Sequence, residues 1–261
     1  MAAPIRVLPT PEAIGQDIAA RIIDRIDSAR RSGRRLLIGC PTGRTPRPIY
    51  SAIAQKLRAT GSDISNVVLV MMDEYVVPSG RGFGYADAGN PWTCHHFARA
   101  EILEPWNDSL GEGRRLGADS VWFPDPANPA RYDERIDSSG GIDYFILASG
   151  ASDGHVAFNP PGSARDSRTR IIELSDETRR DNLKTFPAFK SLDAVPRHGV
   201  SVGIATIAAA KECVMVAWGS GKRMTVERMR AATRYDSDWP ATIIHECRAG
   251  EIICDKEATG L

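Results

Sequence analysis

Five short apolar runs, each bounded by turn-forming residues, set the tightest limit on what this chain can fold into. They are "RLLIGC" (35–40), "NVVLVMMDEY" (66–75), "IDYFILAS" (142–149), "ECVMVAWG" (212–219) and "EIICD" (251–255). Their apolar stretches are continuous instead of alternating with polar residues, which fits strands covered on both faces. Helical segments lie between them. Thr10 as a cap, Pro11 and Glu12 open the first, and Ile14, Ile18, Ile22, Ile23 and Ile26 recur on one face. Ile49, Ile53 and Leu57 do the same after Pro46, and further helices are expected near 91–104, 129–136, 175–185 and 222–233. "VWFP" (121–124) reads as one more short strand, while "TRIIEL" and "GVSVGI" are additional apolar segments. Apolar strands alternating with amphipathic helices predict an α/β fold. The expected form is a three-layer α/β/α single domain over 1–261, with a mostly parallel, Rossmann-like doubly wound sheet.

Charge and cysteine usage narrow the functional classes. Lys plus Arg number 33 and Asp plus Glu also 33, so no global field draws the chain to nucleic acid or to a membrane surface. No run approaches membrane-spanning length, and the N-terminus lacks the apolar core of a signal peptide. The five cysteines form no C-x-x-C pair, and Cys40, Cys213 and Cys254 sit in apolar runs. They read as buried, reduced thiols of a cytoplasmic protein.

In an open parallel sheet, ligands bind outside the carboxyl ends of the strands, so the segments after the strands carry the functional candidates. The first is "GCPTGRTP", in which Thr42, Gly43, Arg44 and Thr45 form either an anion cradle at a helix start or an ordinary capped turn. The second is Asp73-Glu74-Tyr75, a general base with its support or a hydrated strand end. The third is "SGASDGHVAFNPPGS" (149–163). There His155 can pass protons and Asp153 can fix its tautomer, or the histidine is simply bonded to backbone. The fourth is "GSGK", which offers Lys222 to an anion. It is not a nucleotide-binding P-loop, since Val216 stands where that motif needs glycine and Arg223 where it needs Ser or Thr. Adjacent His95 and His96 cannot face one metal from a helix, and no zinc set is visible around His245 and Cys247.

Taken together and in order, "LLIGCPTGRTPRPIY", "VVLVMMDEYV", "DGHVAFNPPGSARDSRTR" and "VSVGIATIAAAKECVMVAWGSGK" resemble the glucosamine-6-phosphate deaminase/isomerase family, related to the 6-phosphogluconolactonases. The resemblance covers about Leu36 to Asp255. It implies a small phosphorylated sugar as substrate, conversion of an amino-sugar phosphate to a ketose phosphate and ammonia, no metal or organic cofactor, and a homo-oligomer. It assigns the phosphate to Thr42, Gly43 and Thr45, with Lys222 adding charge, and Arg44 joins them as part of the same candidate cradle. Lys184 stands where the family usually has an arginine for the same phosphate, keeping the charge without the bidentate fork. The resemblance makes Asp73 the base moving a proton between carbons 2 and 1, His155 the ring-opening acid/base, and Asp153 its orienting carboxylate.

Pro160 departs from the pattern, because the family places a glutamate there to partner the histidine. Its loss lowers the tendency of His155 to be protonated, and Asp166 and Glu74 are the candidates to compensate. In allosteric bacterial members an anion site lies around the "SRTR" segment; Ser163 and Arg170 remain, but Ile172 replaces a lysine. Three functions stay open at this point. They are an aldose–ketose isomerase/deaminase, a phosphosugar lactone hydrolase, and a non-catalytic sugar-phosphate-binding protein.

Overall fold

The computed structural model of the chain describes residues 2–260. Its strands are β1 (Ile5–Leu8), β2 (Leu36–Cys40), β3 (Val67–Met71), β4 (Asp73–Ser79), β5 (Gly82–Tyr85), β6 (Val121–Trp122), β7 (Tyr144–Ala148), β8 (Arg170–Glu173), β9 (His198–Ser201), β10 (Glu212–Ala217) and β11 (Gly250–Asp255). Seven of them form one sheet in the order β1-β11-β10-β7-β2-β3-β6. Every pairing in that sheet is parallel. Helices Pro11–Arg31 and Arg47–Thr60 cover one face through Ile14, Ile18, Ile22, Ile49, Ile53 and Leu57. On the other face Tyr132, Ile136, Ile204, Ile207, Met229 and Ile243 complete a second core. Burial on both faces is why these strands carry no polar alternation.

Helix Pro11–Arg31 begins as its sequence predicts: the Thr10 side chain accepts from the Ala13 amide, and Pro11 occupies the first turn, where its missing N–H costs nothing. The 66–75 run differs from the single strand expected. It breaks at Met72: Met71 still pairs with Cys40 in the parallel sheet, whereas Asp73 pairs antiparallel with Ser201. Strand β4 thus belongs to a second sheet, β5-β4-β9-β8, that is entirely antiparallel. Its own small core holds Tyr75, Phe158, Ile172, Leu174, Phe186, Phe189 and Val195. The polar segment after Val76 contains the hairpin partner β5, and the N-terminal segment supplies β1; neither was expected as a strand. The helix expected near 91–104 extends from Cys94 to Asn107 and includes a π-helical stretch over Ala98–Leu103.

The order of the parallel sheet reverses between β2 and β7, so the segments leaving them diverge and open a crevice. Among the described residues no helix is long and apolar enough to cross a membrane. All five cysteines are free and buried.

Candidate active site

A cavity of about 390 Å³ occupies that crevice. Its walls come from four strand ends: residues 41–45 after β2, Met72 and Asp73 between the sheets, 148–151 with His155, Ala157 and Phe158 after β7, and 218–222 after β10. Helix Asp176–Thr185 closes one side with Asp181, Asn182 and Thr185. The volume lies in the range of small-ligand pockets.

The loop after β2 offers the cavity a row of hydrogen-bond donors. Gly43 has φ +89°, a left-handed conformation costly for a residue with a Cβ, and it turns the chain between β2 and helix Arg47–Thr60. Among the described residues the amides of Thr42, Gly43, Arg44 and Thr45 donate no hydrogen bond, leaving four N–H groups in one loop without a protein acceptor. The Trp218 indole donates to the Thr45 carbonyl at 2.9 Å, tying this loop to the one after β10. Both Asp255 carboxylate oxygens accept from the Gly219 amide at 3.0 Å and fix that second loop. Lys222 Nζ donates to the Ser149 carbonyl. Burial draws the Lys222 ammonium down to about 8, against the opposing pull of Asp181 and Asp153. Lys184 is placed differently from the other predicted anchors. Its side chain is 73% exposed, lies 3.9 Å from Asp181, and does not line the cavity.

Asp73 stands at the junction of the two sheets, 5% exposed, and lines the cavity. Burial raises its carboxyl to about 7; the Cys94 thiol, donating to Oδ1 at 3.4 Å, pulls it down, and neighbouring Glu74 pushes it up. A carboxylate poised near neutrality suits proton abstraction from carbon. Replacing Cys94 with alanine removes the donor to the ionised form. The Asp73 pKa is then expected to rise by about half to one pH unit, the equivalent of one modest hydrogen bond. A carbon-13 NMR titration of the carboxyl group measures it, and Cys94→Ser is expected to leave the value near wild type.

His155 faces the cavity, and its Nδ1 lies 2.7 Å from Asp153 Oδ1. Burial works to raise Asp153, but hydrogen bonds from the His155 ring and amide and from Thr178 outweigh it and hold the carboxyl at about 2. An ionised carboxylate only accepts, so the proton sits on Nδ1 and Nε2 is the nitrogen left for chemistry. Ser175 and Thr178, at 3.3 and 3.2 Å, hold the other Asp153 oxygen. Gly150 is required beneath this pair, because a Cβ there would overlap the His155 ring and the Asp153 carboxylate. Ala157, with φ +51°, is the one non-glycine with positive φ among the described residues, a strained turn two residues past the histidine. Asn159 is fully buried, donates to the carbonyls of Val156 and Val202, and accepts from Arg170 at 2.9 Å; it shapes the loop and does not line the cavity.

Neither candidate for the lost glutamate reaches His155. Asp166 is exposed. The Glu74 carboxylate is fully buried and accepts from the amides of Tyr75, Cys94 and His95 and from His95 Nδ1. It thereby anchors the helix that carries Cys94 to Asp73. Glu74 acts as a brace behind Asp73, a role visible only when residues 20 positions apart meet. His95 stacks on Phe123 at 3.6 Å between ring centroids. Asp181, Asn182 and Thr185 were absent from the sequence-level site, since a charged helix face carries no sign of which turn borders a cavity. Among the described residues no group of three or more His, Cys, Asp or Glu is arranged to hold a metal ion.

The family model for glucosamine-6-phosphate isomerases/6-phosphogluconolactonase matches residues 9–254. The chain belongs to this family. It is 34% identical to a glucosamine-6-phosphate deaminase of Rhodococcus opacus over 257 residues, covering 97% of this chain and 90% of the relative. Against the deaminase of Beutenbergia cavernae it is 33% identical, covering 97% and 91%. The solved structure of a monomeric glucosamine-6-phosphate deaminase superposes with a TM-score of 0.82 at 25% identity, covering 99% of both chains. A 6-phosphogluconolactonase from Leishmania guyanensis shares the fold, with a TM-score of 0.71 at 16% identity over 99% of this chain and 98% of that one.

Proposed function

We propose that this family member is an aldose–ketose isomerase/deaminase that converts a 2-amino-2-deoxy sugar phosphate and water to a ketose phosphate and ammonia. The observation that carries the reading is that Asp73 and His155, the latter bonded to Asp153, line one cavity together with the 42–45 loop and Lys222. In this reading the phosphate is held by the free amides of Thr42, Gly43, Arg44 and Thr45 and by the Lys222 ammonium. His155 passes a proton between the ring oxygen and the anomeric hydroxyl, opening the sugar. Asp73 then removes the proton from carbon 2 as the aldehyde oxygen takes one up, giving an enolamine, and returns it to carbon 1 as the amino nitrogen gives up a proton. The resulting imine at carbon 2 adds water and releases ammonia, leaving the ketone. Incubation with glucosamine 6-phosphate is expected to yield ammonia and ketose phosphate in equal amounts. Ammonia without ketose, or no turnover of any amino-sugar phosphate by folded protein, overturns the proposal.

The same assignments fix the pH response. Asp73 must be ionised, so activity rises with pH through about 7; Lys222 must be charged, so phosphate capture falls as pH rises through about 8. A narrow bell in kcat/KM centred between 7 and 8 is expected from initial rates at fixed ionic strength.

A second reading, hydrolysis of a phosphosugar lactone by water activated at His155, is favoured by one feature. Pro160 leaves the histidine a single carboxylate partner, and lactone hydrolysis does not require the carbon-2 base. Lactone turnover that survives Asp73→Asn and fails in His155→Ala would establish it.

A further inference from the structure

The cavity that holds the 42–45 loop and Lys222 also carries carboxylates. Two cations, Arg44 and Lys222, line it together with three carboxylates, Asp73, Asp181 and Glu257. Lys184, on the same helix as Asp181, is turned to solvent. The helix therefore presents a carboxylate to the cavity and withdraws its cation. Asp181 is not free to swing away: its Oδ2 accepts from Ser152 Oγ at 3.2 Å, tethering it to the loop that carries Asp153 and His155. Its nearest cation, Lys184, sits 3.9 Å off and is mostly exposed, which neutralises little of its charge.

We propose that Asp181 sets the affinity and ligand preference of this anion site, acting as a built-in competitor for the field of Lys222 and Arg44 that an entering phosphate dianion must overcome. The proposal rests on the reading of residues 42–45 and Lys222 as the phosphate anchor. Asp181 has two opposing effects. It repels the phosphate directly, and it helps keep the half-desolvated Lys222 ammonium protonated, a task in which Asp153 assists and Arg44 opposes. Glu257, from the C-terminal helix, faces the same space. Below the Lys222 transition the repulsion dominates, because the lysine is charged with or without Asp181. Above it the second effect grows, because a lysine without its carboxylate neighbour loses its proton earlier.

Calorimetric titration of the full chain with inorganic phosphate at constant ionic strength tests this. At pH 6.5, Asp181→Asn is expected to bind phosphate about 5–10-fold more tightly than wild type, the effect of removing one partly screened charge. Asp181→Ala is expected to match it, which excludes a new hydrogen bond from the asparagine amide as the cause. Repeated with sulfate, a dianion at both pH values, the gain is expected to be smaller at pH 8.5 than at pH 6.5. Lys222→Met weakens binding at pH 6.5 in either case. Unchanged or weaker phosphate binding by both Asp181 variants at pH 6.5, with Lys222→Met still deleterious, overturns the role of Asp181 alone. Absence of phosphate binding by wild type and every variant overturns the anchor itself, and the inference with it.

Discussion

Asp73→Asn is expected to abolish carbon-bound proton transfer while making the folded protein more stable above neutral pH. The two effects share one cause. Burial between the sheets raises the carboxyl from 3.8 to about 7. The native protein thus retains a proton that the unfolded chain releases from about pH 4 upward. The sign follows from linkage: a native pKa above the unfolded value gives a contribution fully present below about 4 and lost as pH rises through about 7. Above that point a buried charge costs on the order of 4 kcal/mol, since each pKa unit is worth about 1.4 kcal/mol. Asparagine is isosteric, still accepts from Cys94, and carries no charge. Its melting temperature is expected to exceed wild type by on the order of 10 °C at pH 8, with the difference closing toward pH 4. Amino-sugar phosphate turnover is expected to fall by about 10⁴-fold, the upper range for losing a general base. A variant that is inactive and equally stable at both pH values would contradict the burial of an ionisable Asp73.

How much of this was legible from residues alone depended on whether the signal was local. The parallel sheet was, because continuous runs such as 142–149 and 212–219 are what double burial demands, and the cap at Thr10 needs only its own turn. The break at Met72 was not. Asp73 and Glu74 follow Met72 and are compatible with a hydrated strand end, yet both are buried and the chain continues through them into β4. Strand β1 was missed because four residues including an arginine, at the edge of the sheet, offer no pattern to distinguish them from a tail. Asp73, Asp153, His155 and the 42–45 loop are candidates by sequence because each lies directly after a strand or in the loop leaving it, and the structure brings Asp73, His155 and that loop to one cavity. Glu74 and Cys94 are joined by a hydrogen bond across 20 residues, and Lys184 and Asp181, one turn apart and within 3.9 Å of each other, differ in that only Asp181 borders the cavity. Such placements follow from packing, which local spacing does not encode.

With proline at 160, Asp153 carries more weight than it would beside a second carboxylate. Pro160 is partly exposed and does not line the cavity, and Glu74 is consumed by the brace behind Asp73, so Asp153 is the one carboxylate among the described residues that touches the His155 ring. In the proposed reaction it has two tasks, fixing the proton on Nδ1 and stabilising the imidazolium that forms when Nε2 takes a proton. Asp153→Asn removes the charge and offers an amide that can donate, so Nδ1 becomes an acceptor and Nε2 carries the proton instead. The histidine then faces the cavity in the wrong tautomer for accepting one. A loss of about 10²–10⁴-fold in kcat/KM for a cyclic sugar phosphate is expected, close to that of His155→Ala, because the pair acts as a unit. The double variant is expected to be no worse than the poorer single one. A nearly additive loss would mean that His155 and Asp153 act independently. Retention of full activity in Asp153→Asn would mean that another group orients the ring, with Thr178 Oγ1, 3.2 Å from Nδ1, the nearest available.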